Sequence, residues 1–449
     1  MSSWLAKGYW NAFTLWHARD ERRLPYRSVD ELAAIQNRRV RRMVAHAYDT
    51  VPYYRDVMDA AGWRPHDFHT ADDLTRLPVI TSAQVAAAPA RFLSRPFATR
   101  LGVSLQSSAT TGQPKQIRHD AASAFCSMAY GQRERIVVAH FTGRTVGYRE
   151  TSISRLNSVS LQLRQFYEAH SWIPRPIDFQ RRVLLVDGSF ESAVAHINAF
   201  QPEVLRAFGS YAGPLFRWAW ERGVPLFRPK VVIYGGDGMP DADRVLLQEQ
   251  IGIPVLSNYS AAEVLRLGFQ CERAAGFHIN IDQVAVWARG EDGTPVAPGG
   301  RGDIIISNLV NRATVLLNYR LGDVVTLGRT RCACGRTLPL IERVEGRCDD
   351  LVLLPDGGMR HARTLLPCLF EAPGLVQVQV IQEELRRFRL RAVCAAGSDW
   401  SATRARLTAA MEKTLGNEVI VDVEQVDAIP LEPGGKVRTV ISHCRNRAP

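Results

Sequence analysis

From about residue 95 to residue 345, short β-rich runs alternate with helical ones, and that alternation restricts the fold more than any other feature of the chain. Val183 to Val186, Lys230 to Tyr234 and Ile304 to Ser307 are runs of strand length, with a helical pattern from Asp241 to Ile251 between two of them. Such alternation is the pattern of α/β layering around at least one parallel sheet. Upstream, Leu32, Ile35, Val40, Met43, Val44 and Ala47 recur at helical spacing, and the helix ends before Pro52 because the residue preceding a proline is pushed out of the α region. After Asp350 the pattern restarts on a smaller scale. Val376, Val378 and Val380 alternate with glutamines, as do Phe388, Leu390 and Ala392 with polar neighbours; Leu407, Met411 and Leu415 then step along a helix that Gly416 can end, and a strand follows from Glu418 to Val423. The sequence therefore predicts an α/β protein with a large multi-sheet N-terminal α/β body over residues 1–347 and a small ββαβ-like, α+β C-terminal cap over 348–449.

Composition excludes several classes. With 449 residues, 46% hydrophobic and 22% charged, the chain reads as an ordinary globular protein, and no apolar window approaches the ~18 residues that span a bilayer. The N-terminus carries Trp4, Trp10, Phe13 and Trp16 in place of a basic region and cleavage site, so no secretory signal is predicted. Eight scattered cysteines do not form a disulfide framework, and a cytoplasmic setting is expected. The net charge is +11, but it forms no tail or stripe, so neither a nucleic-acid nor a membrane partner is expected; the bias suits polyanionic small molecules such as nucleotides. Only five of the 56 basic residues are lysines, and two of them, Lys115 and Lys436, sit in glycine-containing loops.

Several segments have a composition suited to binding or chemistry. Ser107-Ser108-Ala109-Thr110-Thr111-Gly112-Gln113-Pro114-Lys115 cannot continue a helix or central strand, and its hydroxyls and backbone N–H groups suit phosphate oxygens; an unliganded polar loop would read the same, and a Walker loop is absent. Gly235-Gly236-Asp237-Gly238 follows a strand, either as a tight βα turn or as a place where a ligand approaches the backbone. In Asn258-Tyr259-Ser260-Ala261-Ala262-Glu263 an aromatic precedes a small-residue turn and a carboxylate suited to a hard cation. Gly322-Asp323 presents an acceptor to a diol, Gly346-Arg347-Cys348-Asp349-Asp350 falls where body meets cap, and Gly434-Gly435-Lys436 puts a lysine behind two flexible residues. Cys271-x6-His278 and Cys332-x-Cys334 together offer four ligands, enough for a closed tetrahedral zinc site, although free thiols and a core histidine would read alike.

The order and spacing of these segments, from about residue 30 to 440, resemble the acyl-adenylate-forming superfamily, and most closely its phenylacetate–coenzyme A ligase branch. His46-Ala47-Tyr48, Val51-Pro52-Tyr53-Tyr54-Arg55 and Asp73-Leu74-Thr75-Arg76-Leu77-Pro78-Val79 are typical of that branch. The resemblance implies that Ser107, Ser108, Thr110, Thr111, Gly112 and Lys115 hold the triphosphate of ATP. It implies that Gly235, Gly236, Asp237, Asn258 and Tyr259 enclose the adenine, that Asp323 holds the ribose, and that Glu263 binds Mg²⁺. Arg347 would contact the nucleotide, Asp349 would be the hinge, and Lys436 would be the catalytic lysine of a mobile cap. The implied reaction is ATP-dependent adenylation of a carboxylic acid, aromatic in this branch, followed by acyl transfer to coenzyme A. Transfer to an amine, a hydroxyl or a carrier-protein thiol stays open, as do a homodimer and a degenerate nucleotide-binding relative without catalysis. The branch also raises the expectation of structural zinc at Cys271, His278, Cys332 and Cys334.

The chain departs from the pattern at four places. Ala109 replaces a glycine and Gln113 a lysine in the phosphate loop, whereas Ser260 and Ala262 replace a glycine and a threonine in the aromatic motif. Tyr130, Phe141, Tyr148, Phe208, Tyr211 and Ser257 are candidates for an acyl pocket, and Arg133, Arg144 and Arg149 hint at an acidic substrate group.

Overall fold

The computed structural model describes residues 3–106, 115–156, 158–173, 180–186, 189–347, 351–354, 359–361, 365, 368–369, 371–395, 397–416, 418–430 and 439–444, without the side chains of Ser3, Arg347, Leu351 and 359–361. The chain divides into two compact units. The first comprises residues 1–107, 114–321 and 326–343; the second comprises 108–113, 322–325 and 344–449.

The first unit opens with helices α1 (Ser3–Ala18), α2 (Val29–Thr50), α3 (Pro52–Ala60) and α4 (Ser82–Ala87). Ser28 and Glu31 close a reciprocal capping box at the start of α2, whose Leu32, Val40, Met43, Val44 and Ala47 are buried. Strands β1 (Gly102–Gln106) and β2 (Gln116–Asp120) pair antiparallel and lead into α5 (Ala121–Thr142). The Asp120 side chain caps that helix by accepting from the Ser123 amide, and Gly143 ends it at φ 77°.

The α/β alternation follows as β3 (Glu150–Ser154), α6 (Val159–His170), β4 (Arg181–Leu185), α7 (Phe190–Phe200), β5 (Val204–Ala207), α8 (Gly209–Glu221), β6 (Val231–Gly235), α9 (Asp241–Val245) and β7 (Val255–Tyr259). A π-type turn over Leu246–Ile251 extends α9, so together they span the helical pattern of the sequence. The five strands are parallel in the order β4-β3-β5-β6-β7. Val231, Val232 and Ile233 are buried because helices cover both faces, which is why β6 reads as a continuous apolar run. At the edge, β4 leaves Val183 and Leu185 exposed. The sheet continues through β8 (Gly268–Gln270), β9 (Phe277–Ile279), β10 (Val284–Arg289), β11 (Arg301–Asn308), β12 (Tyr319–Leu327) and β13 (Leu340–Arg347), giving eleven strands in the order β10-β11-β12-β13-β9-β8-β7-β6-β5-β3-β4.

Within the second unit, β14 (Leu351–Leu353) pairs with β15 (Met359–His361). A four-stranded sheet has β16 (Leu375–Glu384) and β17 (Arg387–Cys394) at its centre, flanked by β19 (Val440–Ser442) and β18 (Ile420–Gln425), and α10 (Trp400–Leu415) contributes Leu407 and Met411 to the same core. Val376 does not share the burial of Val378 and Val380. A register shift between Leu375 and Gln377 turns it outward, where it is 52% exposed. Gln382, fully buried, bonds the backbone of Leu353 in both directions and accepts from Ser442. Among the described residues no helix is long and apolar enough to cross a membrane.

Candidate active site

In a parallel sheet the open crevice lies outside the carboxyl ends of the strands, and three segments of the first unit meet there. Gly235, the last residue of β6, is the register partner of Asn258 on β7, so two of the residues expected to enclose adenine are neighbours across the sheet. Gly236 adopts φ 81°, and a Cβ there would come within 3.0 Å of the Phe208 ring, so the turn takes glycine for both reasons. Asp237 accepts from the Ser210 amide at 3.2 Å and hydroxyl at 2.5 Å, which fixes the turn to the start of α8. The Asn258 amide donates to Glu134 at 2.8 Å, and Glu134 is held by Arg266 and Arg206. Burial pushes the Glu134 carboxyl upward, but the two guanidinium groups more than offset that and hold it below the ordinary range. Tyr259 is buried, its ring tilted 60° against Phe277 at 5.8 Å.

Glu263 stands on a tight turn: the Ala261 carbonyl accepts from Val264 and Leu265, and Leu265 sits at φ 62°. His119 bonds the Ala262 carbonyl at 2.7 Å and the Asn308 amide donates to the Glu263 carbonyl at 2.8 Å, so the turn is pinned on both sides. The Glu263 carboxylate does not face open solvent. Its Oε1 lies 2.6 Å from the Lys115 ammonium and accepts from the Tyr319 hydroxyl at 3.2 Å. Lys115 also donates to Tyr319 and, at 3.1 Å, to Ser82, with its Nζ 4.7 Å from the centre of the Tyr319 ring. Lys115, Glu263 and Tyr319 are all buried. Burial raises the Glu263 carboxyl, and the adjacent ammonium outweighs it and holds the acid below its ordinary value.

Such pairings make stability depend on pH. Glu134, Glu150, Glu263 and Asp282 are buried carboxylates held below their ordinary values by cations, after burial has pushed each the other way. A depressed carboxyl contributes stability above its unfolded value and loses it as the pH falls through its folded one. The thermal midpoint is therefore expected to stay level from pH 7 to about 5 and to fall steeply below about 4.5, which scanning calorimetry reads directly. A midpoint insensitive to acid down to about pH 3 would contradict these pairings.

The remaining predicted residues divide as follows. Asp323 is half-buried on β12, the strand that Tyr319 opens. Arg347 closes β13, and its side chain is outside the described residues, as are Ser107, Ser108, Thr110, Thr111, Gly112, Asp349 and Lys436. Of the pocket candidates, Phe208 lies beside Gly236, whereas Tyr130 is a core residue whose hydroxyl accepts from Arg39 at 2.9 Å. The three arginines lie elsewhere. Arg133 is buried and engaged by Glu21, Asn280 and Asp282. Arg144 and Arg149 line a cavity of about 350 Å³ with Gln180, Glu203, Phe227 and Lys230, at the amino ends of the parallel strands and so on the edge opposite Gly235 and Asn258. Sequence reading missed Ser82, Glu134 and Tyr319 as partners of the site. Their only signal is position in space, since each is far along the chain from the residue it holds.

Cys271, His278, Cys332 and Cys334 come together, with all four ligand atoms within 4.8 Å of one another. The Cys271 and Cys332 sulfurs are 3.6 Å apart, and the Cys334 sulfur is 3.4 Å from His278 Nε2. Tetrahedral zinc at about 2.3 Å from sulfur and about 2.1 Å from nitrogen asks for separations of this size, so the donor set fits that ion. Burial, with Arg336 nearby, pulls His278 down to about 4, which keeps the imidazole neutral as a ligand must be. Four protein ligands leave no open position for catalysis.

A family model described as the CapK C-terminal domain matches residues 354–443. The phenylacetate-coenzyme A ligase of Thermus thermophilus is 27% identical over 348 residues, covering 72% of each chain. That of Escherichia coli is 26% identical over 358 residues, 73% of this chain and 74% of its own. Among solved structures, 2-hydroxyisobutyryl-CoA ligase in the postadenylation state, in complex with R3-HIB-AMP, superposes with a TM-score of 0.71 at 18% identity, over 94% of this chain and 91% of that one.

Proposed function

Because the chain is a relative of the phenylacetate–coenzyme A ligases and has the adenylate-forming fold, we propose that it is an ATP-dependent acid–thiol ligase, joining a carboxylic acid to coenzyme A through an acyl adenylate. The observation that carries this is the pairing of Gly235 with Asn258 at the carboxyl edge, with Glu263 on the turn that follows.

In the first step a carboxylate oxygen of the acid attacks the α-phosphorus of ATP, taken as its magnesium complex. A new P–O bond forms, the bond to the bridging oxygen breaks, and pyrophosphate departs. Negative charge grows on the nonbridging oxygens, so positive groups fixed beforehand lower the barrier. Lys436 brings an ammonium to them, Arg347 contacts the nucleotide, Asp323 takes the ribose hydroxyls, and residues 107–112 with Lys115 receive the phosphates. In the second step the coenzyme A sulfur attacks the acyl carbonyl, AMP leaves, and the thiol proton passes to solvent. A rotation of the cap about Asp349 withdraws Lys436 between the steps and opens the path for the thiol. An aromatic acid is the substrate class, zinc at Cys271, His278, Cys332 and Cys334 is structural, and the reaction is cytoplasmic.

The test is acid-dependent exchange of pyrophosphate into ATP across a panel of aryl, arylacetic and short aliphatic acids. Exchange with at least one aryl acid, followed by thioester formation on adding coenzyme A, is the expected result. Exchange without a thioester, but with product on adding an amine or carrier protein, moves the acceptor; ATP binding with no exchange for any acid makes the chain a nucleotide-binding relative.

A further inference from the structure

Glu263 is the carboxylate expected to hold a divalent cation, and its surroundings do not fit that task. Its Oε1 already faces an ammonium at 2.6 Å and a tyrosine hydroxyl at 3.2 Å, so the negative charge a metal would need is matched by Lys115. We infer that Lys115, fixed on Glu263, presents to the triphosphate the positive charge that a carboxylate-held metal would otherwise present. The inference rests on the ligase reading and sharpens its nucleotide subsite.

Three features support it. Lys115 directly follows the hydroxyl-rich segment 107–114, so the ammonium stands where the phosphate loop hands over to β2. That same segment has Gln113 where a lysine is usual in the resembling family, and the cation is moved two positions along the chain. The ammonium is also held in place: Glu263, Tyr319 and Ser82 surround it, and the Tyr319 ring lies beside it. The Ser82 bond is the longest of those with Lys115 as donor and goes to a neutral oxygen, so it is the one a phosphate oxygen displaces. A dication placed on Glu263 would meet this ammonium at close range, and the two would repel. Magnesium therefore stays with the phosphates as part of the substrate and does not bridge to Glu263.

The experiment is calorimetric titration of ATP into the full chain, once in EDTA and once in excess Mg²⁺. The wild type is expected to bind in both, with affinities within about fivefold. Lys115→Thr leaves an unmatched carboxylate, so its affinity in EDTA is expected to fall by about 30-fold or more and to recover with Mg²⁺. Glu263→Gln acts in the opposite direction, and the unpaired ammonium is expected to tighten binding in EDTA by about fivefold. A wild type whose affinity collapses in EDTA by about 30-fold or more overturns the inference without any variant, which covers the case in which Lys115→Thr does not fold. An unchanged ratio in a folded Lys115→Thr overturns it too. If the wild type gives acid-dependent exchange and only these ratios disagree, the inference fails and the ligase stands; if it neither binds ATP nor exchanges pyrophosphate, both fall.

Discussion

Lys436→Ala is expected to lower acid-dependent pyrophosphate exchange by about 10²–10³-fold while leaving ATP affinity within about threefold. The asymmetry follows from when the charge is needed. In bound ATP the α-phosphate is already solvated and neutralised by its metal and the loop, so one more ammonium adds little to the ground state. As the carboxylate attacks, charge accumulates on the nonbridging oxygens, and an ammonium delivered there stabilises only the transition state. The loss therefore falls in kcat and not in KM. Gly434 and Gly435 immediately precede the lysine, and two residues without a Cβ let the backbone take the conformations that delivery and withdrawal ask for. A second measurement separates this role from a merely structural one. If the cap withdraws the lysine before the thiol attacks, the variant supplied with a synthetic acyl adenylate and coenzyme A should form thioester within about threefold of the wild-type rate. Equal loss in both half-reactions would assign Lys436 to the fold of the cap, and no loss in either would remove it from catalysis.

The α/β layering was legible in the sequence because buried parallel strands are apolar on both faces. Val231 to Ile233 and Val255 to Leu256 stand out as short apolar runs, and the glycines after Tyr234 mark where the strand stops. The Cys/His cluster was half legible. Its ligands are named by residue type, but their convergence depends on Leu340 pairing with His278 across β13 and β9, a register that spacing alone does not fix. The partners of Glu263 were not legible. Ser82, Lys115 and Tyr319 belong to separate stretches of chain, and an ion pair between them has no local signature in helix or strand periodicity. Arg133 was misleading for a related reason: a charged residue in a chain reads as exposed or as substrate-facing, whereas Glu21, Asn280 and Asp282 neutralise it inside the core. Val376 shows the opposite limit, where perfect alternation is broken by a bulge.

Cys271→Ser is expected to abolish a zinc content of about one equivalent per chain and to lower the thermal midpoint by about 10 °C or more. Three pieces of chain meet at the four ligands: Cys271 follows β8, His278 lies on β9, and Cys332 and Cys334 come from the connection between β12 and β13. Without an ion, two of the ligands must be thiols or thiolates packed within 3.6 Å of each other, and burial pushes the Cys271 thiol up to about 12. An ion that holds the thiolates converts that cost into folding free energy, because the unfolded chain offers no preformed site. The nearby pairing of Arg336 with Glu272 at 3.0 Å and the bond from the Thr337 amide to the Pro25 carbonyl at 2.8 Å tie the same connection to the N-terminal segment. Loss of the ion should therefore loosen contacts beyond the four ligands. Cys394→Ser, at a half-buried cysteine of the second unit, is the control and is expected to leave metal content unchanged. The closed ligand set makes one further distinction. Exchange activity of Cys271→Ser at low temperature, measured per folded molecule, should remain within about threefold of wild type, whereas an open catalytic metal would take the activity with it. Zinc below about half an equivalent in protein purified without added metal would leave the four residues as a cluster of free thiols around a core histidine.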